Sequence, residues 1–146
     1  MKNQWTKKIL IMIGISVGSF IGFNIAFILA AFITLSIAQI TGQIGYTVGR
    51  FVFLIIIYLI FFGVKRLHIP DWIKASVFSM PIISTLILIG VYGYGLSSYI
   101  VIGLGLLFTL SVTYFLYRNK WDWTYYYALS FVSICAAYVI IVGIDI

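Results

Sequence analysis

The chain has 146 residues, of which 64% are hydrophobic and only 8% are charged. A soluble domain of this length buries roughly two-thirds of its surface and carries about 25% charged residues. This composition therefore excludes a soluble domain. The net charge of +6 does not indicate a nucleic-acid partner, because the cations flank apolar segments instead of forming one polar face. We therefore predict an integral membrane protein whose apolar surface contacts membrane lipids.

Five segments are apolar enough to cross a bilayer, which requires about 20 mostly apolar residues per helix. In chain order, the predicted spans cover residues about 9–36, 48–64, 73–94, 98–117 and 124–143. A break is required at VYGYGLSS (91–98), because an uninterrupted helix over 77–117 would be roughly 60 Å long. The prediction is a single all-α domain over 1–146, a bundle of five transmembrane helices.

The basic residues indicate an orientation. Seven of the nine Lys and Arg residues lie in the N-terminal segment or in the connections that follow the second and fourth spans, and Lys74 lies at the adjoining start of the third span. Short loops rich in Lys and Arg remain in the cytoplasm, so we predict a cytoplasmic N-terminus, an external C-terminus and a multi-pass protein of the bacterial cytoplasmic membrane. One inner connection is expected to anchor the bundle and to receive an anionic headgroup through Arg118, Lys120, Trp121 and Trp123.

Small residues recur every fourth position along the first span. They are Gly14, Gly18, Gly22, Ala26, Ala30 and Thr34. Helices in lipid associate through close packing of such residues, and two interpretations remain open. The stripe either packs against another helix of the same chain or forms a docking face for a second copy or a different subunit, in which case Gly18→Leu would break an assembly. Gly45 and Gly49 repeat the spacing at the start of the second span.

Polar residues inside the spans are few. Asn24 lies near the middle of the first span, where an amide is expected to make an interhelical hydrogen bond or to contact a substrate. Pro81 lies inside the third span, where it removes a backbone hydrogen bond and clashes with the carbonyl of Val77, so a kink is expected. Three hydroxyl residues close to it are candidates to satisfy the freed backbone groups, namely Ser79, Ser84 and Thr85.

Arg50 opens the apolar part of the second span and is the one cation on the predicted outer half of the protein. A snorkelling anchor is the simplest interpretation. The alternatives are an ion pair with Asp145 near the C-terminus, or bidentate binding of an anionic lipid or solute. Gln43 precedes Arg50 by seven residues and joins the candidate anion site.

The sequence carries no recognisable catalytic constellation. Its acids are Asp71, Asp122 and Asp145, and it has one His and one Cys, so we expect no enzyme, metal site or cofactor. Two classes of function remain. The first is a small transporter, channel or lipid-handling protein that works as an oligomer or within a complex. The second is a non-transporting accessory, regulatory or immunity subunit that docks on a larger membrane complex through the small-residue face of the first span.

Overall fold

The computed structural model describes residues 2–93 and 95–142. Within those residues all regular structure is helical, which confirms the predicted all-α class. The helices are α1 (Lys2–Thr41), α2 (Gln43–Lys65), α3 (Asp71–Tyr92), α4 (Ser98–Arg118) and α5 (Trp123–Val142). Helices α1 to α4 are long and apolar enough to cross a membrane.

The helices extend furthest beyond the predicted boundaries at the start of α1 and at the first connection. Helix α1 begins at Lys2, whereas the apolar segment predicted a start near 9. Helix α1 continues to Thr41 and α2 already begins at Gln43, whereas the apolar segments predicted an end near 36 and a start near 48. The reason is that helical hydrogen bonds do not require apolar side chains, so the polar residues of this stretch stay helical. Gly42 alone makes the turn, with a φ of 70° that favours glycine.

The contacts between helices fix their directions. A Cβ atom built on Gly14 would touch the Trp72 ring, and one on Gly22 would meet the Met80 side chain, so α1 and α3 run parallel. Helix α2 runs antiparallel to α3, because Phe61 contacts Phe78 and Phe51 contacts Tyr92.

Helix α4 runs antiparallel to α3, because a Cβ on Gly93 would meet Val101 and one on Gly105 would lie near Leu86. Helix α5 turns back beside α4 after the short loop 119–122. The helices therefore alternate in direction through the bundle. The start of α1, the α2–α3 loop and the α4–α5 loop share one end, which we call the basic end because eight of the nine cations lie there. The α1–α2 turn and the α3–α4 connection share the other end, which we call the distal end. Helix α3 is central and packs against each of the other four helices.

The α1–α2 hairpin reaches past the rest of the bundle at the distal end. Tyr92, the last residue of α3, stacks on Phe51 of α2. The eight residues of α2 that precede Phe51 therefore lie beyond the end of α3, a length of about 12 Å as helix. Arg50 is the last of these residues and stands at the base of the projecting hairpin.

Candidate anion site at Arg50

Arg50 lies where α2 leaves the cover of α3. Its side chain is half-buried, and its guanidinium carbon stands 5.9 Å from the centroid of the Tyr92 ring. Tyr92 in turn stacks on Phe51, with 5.8 Å between ring centroids and 18° between ring planes. A cation within about 6 Å of an aromatic face is held by the ring quadrupole. The contact therefore holds the guanidinium against the last residue of α3.

The preceding glycine explains how α2 is placed for this contact. A Cβ atom at Gly49 would lie 2.7 Å from the backbone Cα of Thr34 in α1, which is closer than two carbon atoms can pack. Gly49 thus lets the backbones of α1 and α2 meet directly. Because each residue turns a helix by about 100°, Arg50 points away from this contact and toward α3.

Among the described residues, no carboxylate neutralises Arg50. Asp71 and Asp122 both lie at the basic end, where Asp71 stands 3.7 Å from the Lys74 Nζ. Asp122 caps α5 by accepting hydrogen bonds from the backbone N–H and the hydroxyl of Thr124 at 3.0 and 2.8 Å. Asp145 lies outside the described residues, so its predicted pairing with Arg50 stays a prediction.

The surface of α2 before Arg50 offers further polar groups. Residues three and four positions apart share a face of a helix, so exposed Tyr46 and Thr47 lie one turn before Arg50 on that face. Gln43 is also exposed and lies two turns earlier on nearly the same face. A guanidinium, two hydroxyls and an amide thus follow one strip of the helix and can together bind a phosphate or carboxylate.

The basic end provides a cation in a different setting. Lys65 Nζ stands 3.7 Å from the centroid of Trp121. That ring is half-buried among further aromatic rings, which belong to Phe61, Phe78, Phe115 and Tyr125. Trp121 thus packs into the bundle, and the predicted anchoring role of this loop stays a prediction. Arg118, Lys120 and Trp123 are exposed.

The small-residue stripe of α1 is covered within the chain. A Cβ at Gly18 would lie 2.7 Å from Ser76 Oγ, and one at Gly22 would lie 2.6 Å from Met80 Cε. Further along α1, Ala26 is buried and packs with Phe53 and Ile57 of α2, and Ala30 lies against the same cluster. The face predicted as a possible docking surface is thus occupied by α3 and α2.

Asn24 does not make the expected interhelical hydrogen bond within the chain. Its side-chain N–H donates to the carbonyl of Phe20, one turn earlier, at 2.8 Å, and the residue is exposed. The sequence spacing already indicated that Asn24 is exposed, because it is two residues from both Gly22 and Ala26. Two residues turn a helix by about 200°, which places Asn24 opposite the packed stripe.

The hydroxyl residues around Pro81 bond within α3. Helix α3 continues through Pro81 without interruption. Ser79 donates to the carbonyl of Ser76 at 2.6 Å and Thr85 donates to that of Pro81 at 2.8 Å, so neither hydroxyl satisfies the freed carbonyl of Val77. Thr85 also contacts the Tyr58 hydroxyl of α2 at 3.1 Å. Ser84 is buried.

Comparisons with known proteins assign no family or function to the chain. No protein-family model matches the chain, and neither a curated protein nor a solved structure is significantly similar to it.

Proposed function

We propose that this protein is a five-span membrane protein that handles lipid, and that it holds the phosphate headgroup of an anionic lipid at Arg50. Four long apolar helices support a membrane location. The collection of eight cations at the basic end supports a cytoplasmic N-terminus by the positive-inside rule. In this orientation α5 is the fifth span and Arg50 faces the outer leaflet.

The surroundings of the Arg50 guanidinium are the main support for this proposal. It is half-buried and rests on the Tyr92 ring, and no described carboxylate pairs with it. A contact with the face of a ring leaves the N–H donors in the guanidinium plane free. Those donors match the oxygens of a phosphate, which Arg binds through two parallel hydrogen bonds.

The packing favours lipid over a solute pathway through the first three helices. Gly14, Gly18 and Gly22 let α1 lie directly on α3, so that interface leaves no passage for a solute. Arg50 and the polar strip before it lie instead on the surface of α2, which faces lipid in a membrane. The accessory-subunit alternative relied on the small-residue face of α1, and that face is already covered.

Native mass spectrometry of the protein released from nanodiscs tests the proposal. With an anionic phospholipid present, we expect one lipid per chain to be retained through Arg50, and we expect Arg50→Gln to reduce the retention of that lipid by about tenfold or more, the effect of losing charge-assisted hydrogen bonds. Arg66→Gln is the matched control, because Arg66 is an exposed residue next to the other end of the same helix. Equal retention in the two variants would refute the proposal.

A second arm separates a lipid headgroup from a free anion. The same measurement in nanodiscs made only of zwitterionic lipid, with inorganic phosphate added, should give no retained ligand if the acyl chains contribute to binding. Retention of inorganic phosphate that depends on Arg50 would instead identify a solute site.

A further inference from the structure

Asn24 occupies an unusual place on α1. It lies near the middle of a helix that extends from Lys2 to Thr41, and it faces away from the rest of the bundle. An amide side chain has two N–H donors and a carbonyl acceptor. One donor bonds the carbonyl of Phe20, and the other donor and the oxygen make no hydrogen bond to any described residue. Hydrocarbon cannot satisfy either group.

The exposed side chains around Asn24 follow a heptad pattern. One row recurs every seven residues and a second row follows it three residues later. The first row is Leu10, Val17, Asn24 and Ala31, and the second is Ile13, Phe20 and Phe27. Every member of both rows is exposed in the single chain. Rows with this alternating spacing of three and four form the contact seam of two supercoiled helices, in which the first row is the a position and the second the d position.

We propose that this face of α1 binds the same face of a second copy of the chain, with Asn24 at the centre of the contact. Two copies inserted in the same membrane have the same orientation, so their α1 helices are parallel. In a parallel, in-register pair related by a two-fold axis, each a-position residue faces its own counterpart. Asn24 therefore meets Asn24 of the second copy, and each amide offers the donor and the acceptor that the other lacks.

The amide also sets the register of this pair. A single Asn at an a position specifies alignment and the number of helices, because any slip leaves it against apolar side chains. In lipid the same amide adds to association, since the alternative is an unsatisfied polar group. The contact is separate from the small-residue stripe and from Arg50, so it does not depend on the proposed lipid site.

Disulfide crosslinking in membranes tests this contact with a matched pair of positions. The background is Cys135→Ala, which removes the only cysteine. Val17→Cys lies on the seam and Ile25→Cys lies about a quarter turn away from Asn24. The two native residues are similarly exposed, at 54% and 48%. A disulfide requires Cα atoms within about 7 Å, so only the seam position should give an efficient crosslinked dimer.

We expect Val17→Cys to give about ten times more dimer than Ile25→Cys, and Asn24→Leu to remove most of that excess, while Asn24→Gln retains it. Equal crosslinking at both positions would overturn the proposal. So would a Val17→Cys yield unaffected by Asn24→Leu, or crosslinks only to another protein. Asn24→Leu alters no buried contact, so an unchanged unfolding midpoint of the monomer in detergent shows that the variant is folded.

Discussion

At the basic end, the ammonium of Lys65 stands 3.7 Å from the Trp121 ring, whereas at the distal end the guanidinium of Arg50 stands 5.9 Å from the Tyr92 ring. Trp121 is enclosed by other aromatic rings, and the described acids lie at the same end as Lys65. Among the described residues, Tyr92 has one stacking neighbour, Phe51. A cation on an aromatic ring is thus part of the packed bundle at one end, whereas at the other end it keeps hydrogen-bond donors free.

The largest expected effect is at the basic end. Trp121→Ala removes a ring that contacts four aromatic side chains as well as Lys65. We expect the free energy of unfolding to fall by about 3 kcal/mol, as for other large aromatic truncations. Denaturation in mixed micelles containing increasing amounts of sodium dodecyl sulfate measures this change. A loss below about 1 kcal/mol would mean that the aromatic cluster does not stabilise this end.

An intermediate effect is expected from two glycines of α2, one toward each end. Gly49→Leu would place a side chain 2.7 Å from the Thr34 backbone, whereas no atom lies within 4 Å of a Cβ at Gly63. We expect Gly49→Leu to cost about 1–3 kcal/mol through overpacking. Gly63→Leu should be neutral or slightly stabilising, since leucine favours a helix. If both variants unfolded at the same denaturant concentration, close packing at Gly49 would not fix α2 near Arg50. The contrast between the Arg50 and Lys65 ends would then lose this support.

The smallest change in stability is expected at Tyr92. Tyr92→Ala removes one stacked pair and one cation–π contact from a residue that is 45% exposed. We expect a loss of about 1 kcal/mol in the free energy of unfolding together with weaker lipid retention, because the guanidinium loses its support. Tyr92→Phe keeps the ring and should behave like the native chain in both measurements. A lipid effect from Tyr92→Phe as large as that from Tyr92→Ala would show that the hydroxyl, not the ring, acts at the site.

The sequence predicted most of the fold because the length of apolar runs is set by the thickness of the bilayer. It predicted too long a connection around the α1–α2 turn, since hydropathy indicates what hydrocarbon tolerates and not where a helix ends. It found Arg50 from its isolation among the cations. It could not predict Tyr92 as the contact of Arg50, because the two residues are 42 positions apart and meet only through the register of α2 on α3.

In the first span, too, the sequence predicted a packing face but not its partner. The four-residue spacing of Gly14, Gly18 and Gly22 predicted a packing face, and the structure supplies α3 as the surface that it packs against. It also follows that Gly18→Leu would disturb the contact with Ser76 of the same chain. Loss of an assembly in that variant therefore does not identify a docking face, whereas Asn24→Leu leaves the packed side intact.

Photocrosslinking with an anionic phospholipid that carries a diazirine in its acyl chain tests whether Arg50 holds a lipid headgroup. The lipid is incorporated into membranes containing the full chain, and labelled peptides are identified by mass spectrometry. We predict labelling of residues 43–51 that is strongly reduced by Arg50→Gln and retained in Arg66→Gln, with any labelling at the basic end unchanged by Arg50→Gln. Absence of label from residues 43–51 in the native protein, or label there that is insensitive to Arg50→Gln, would contradict the proposal.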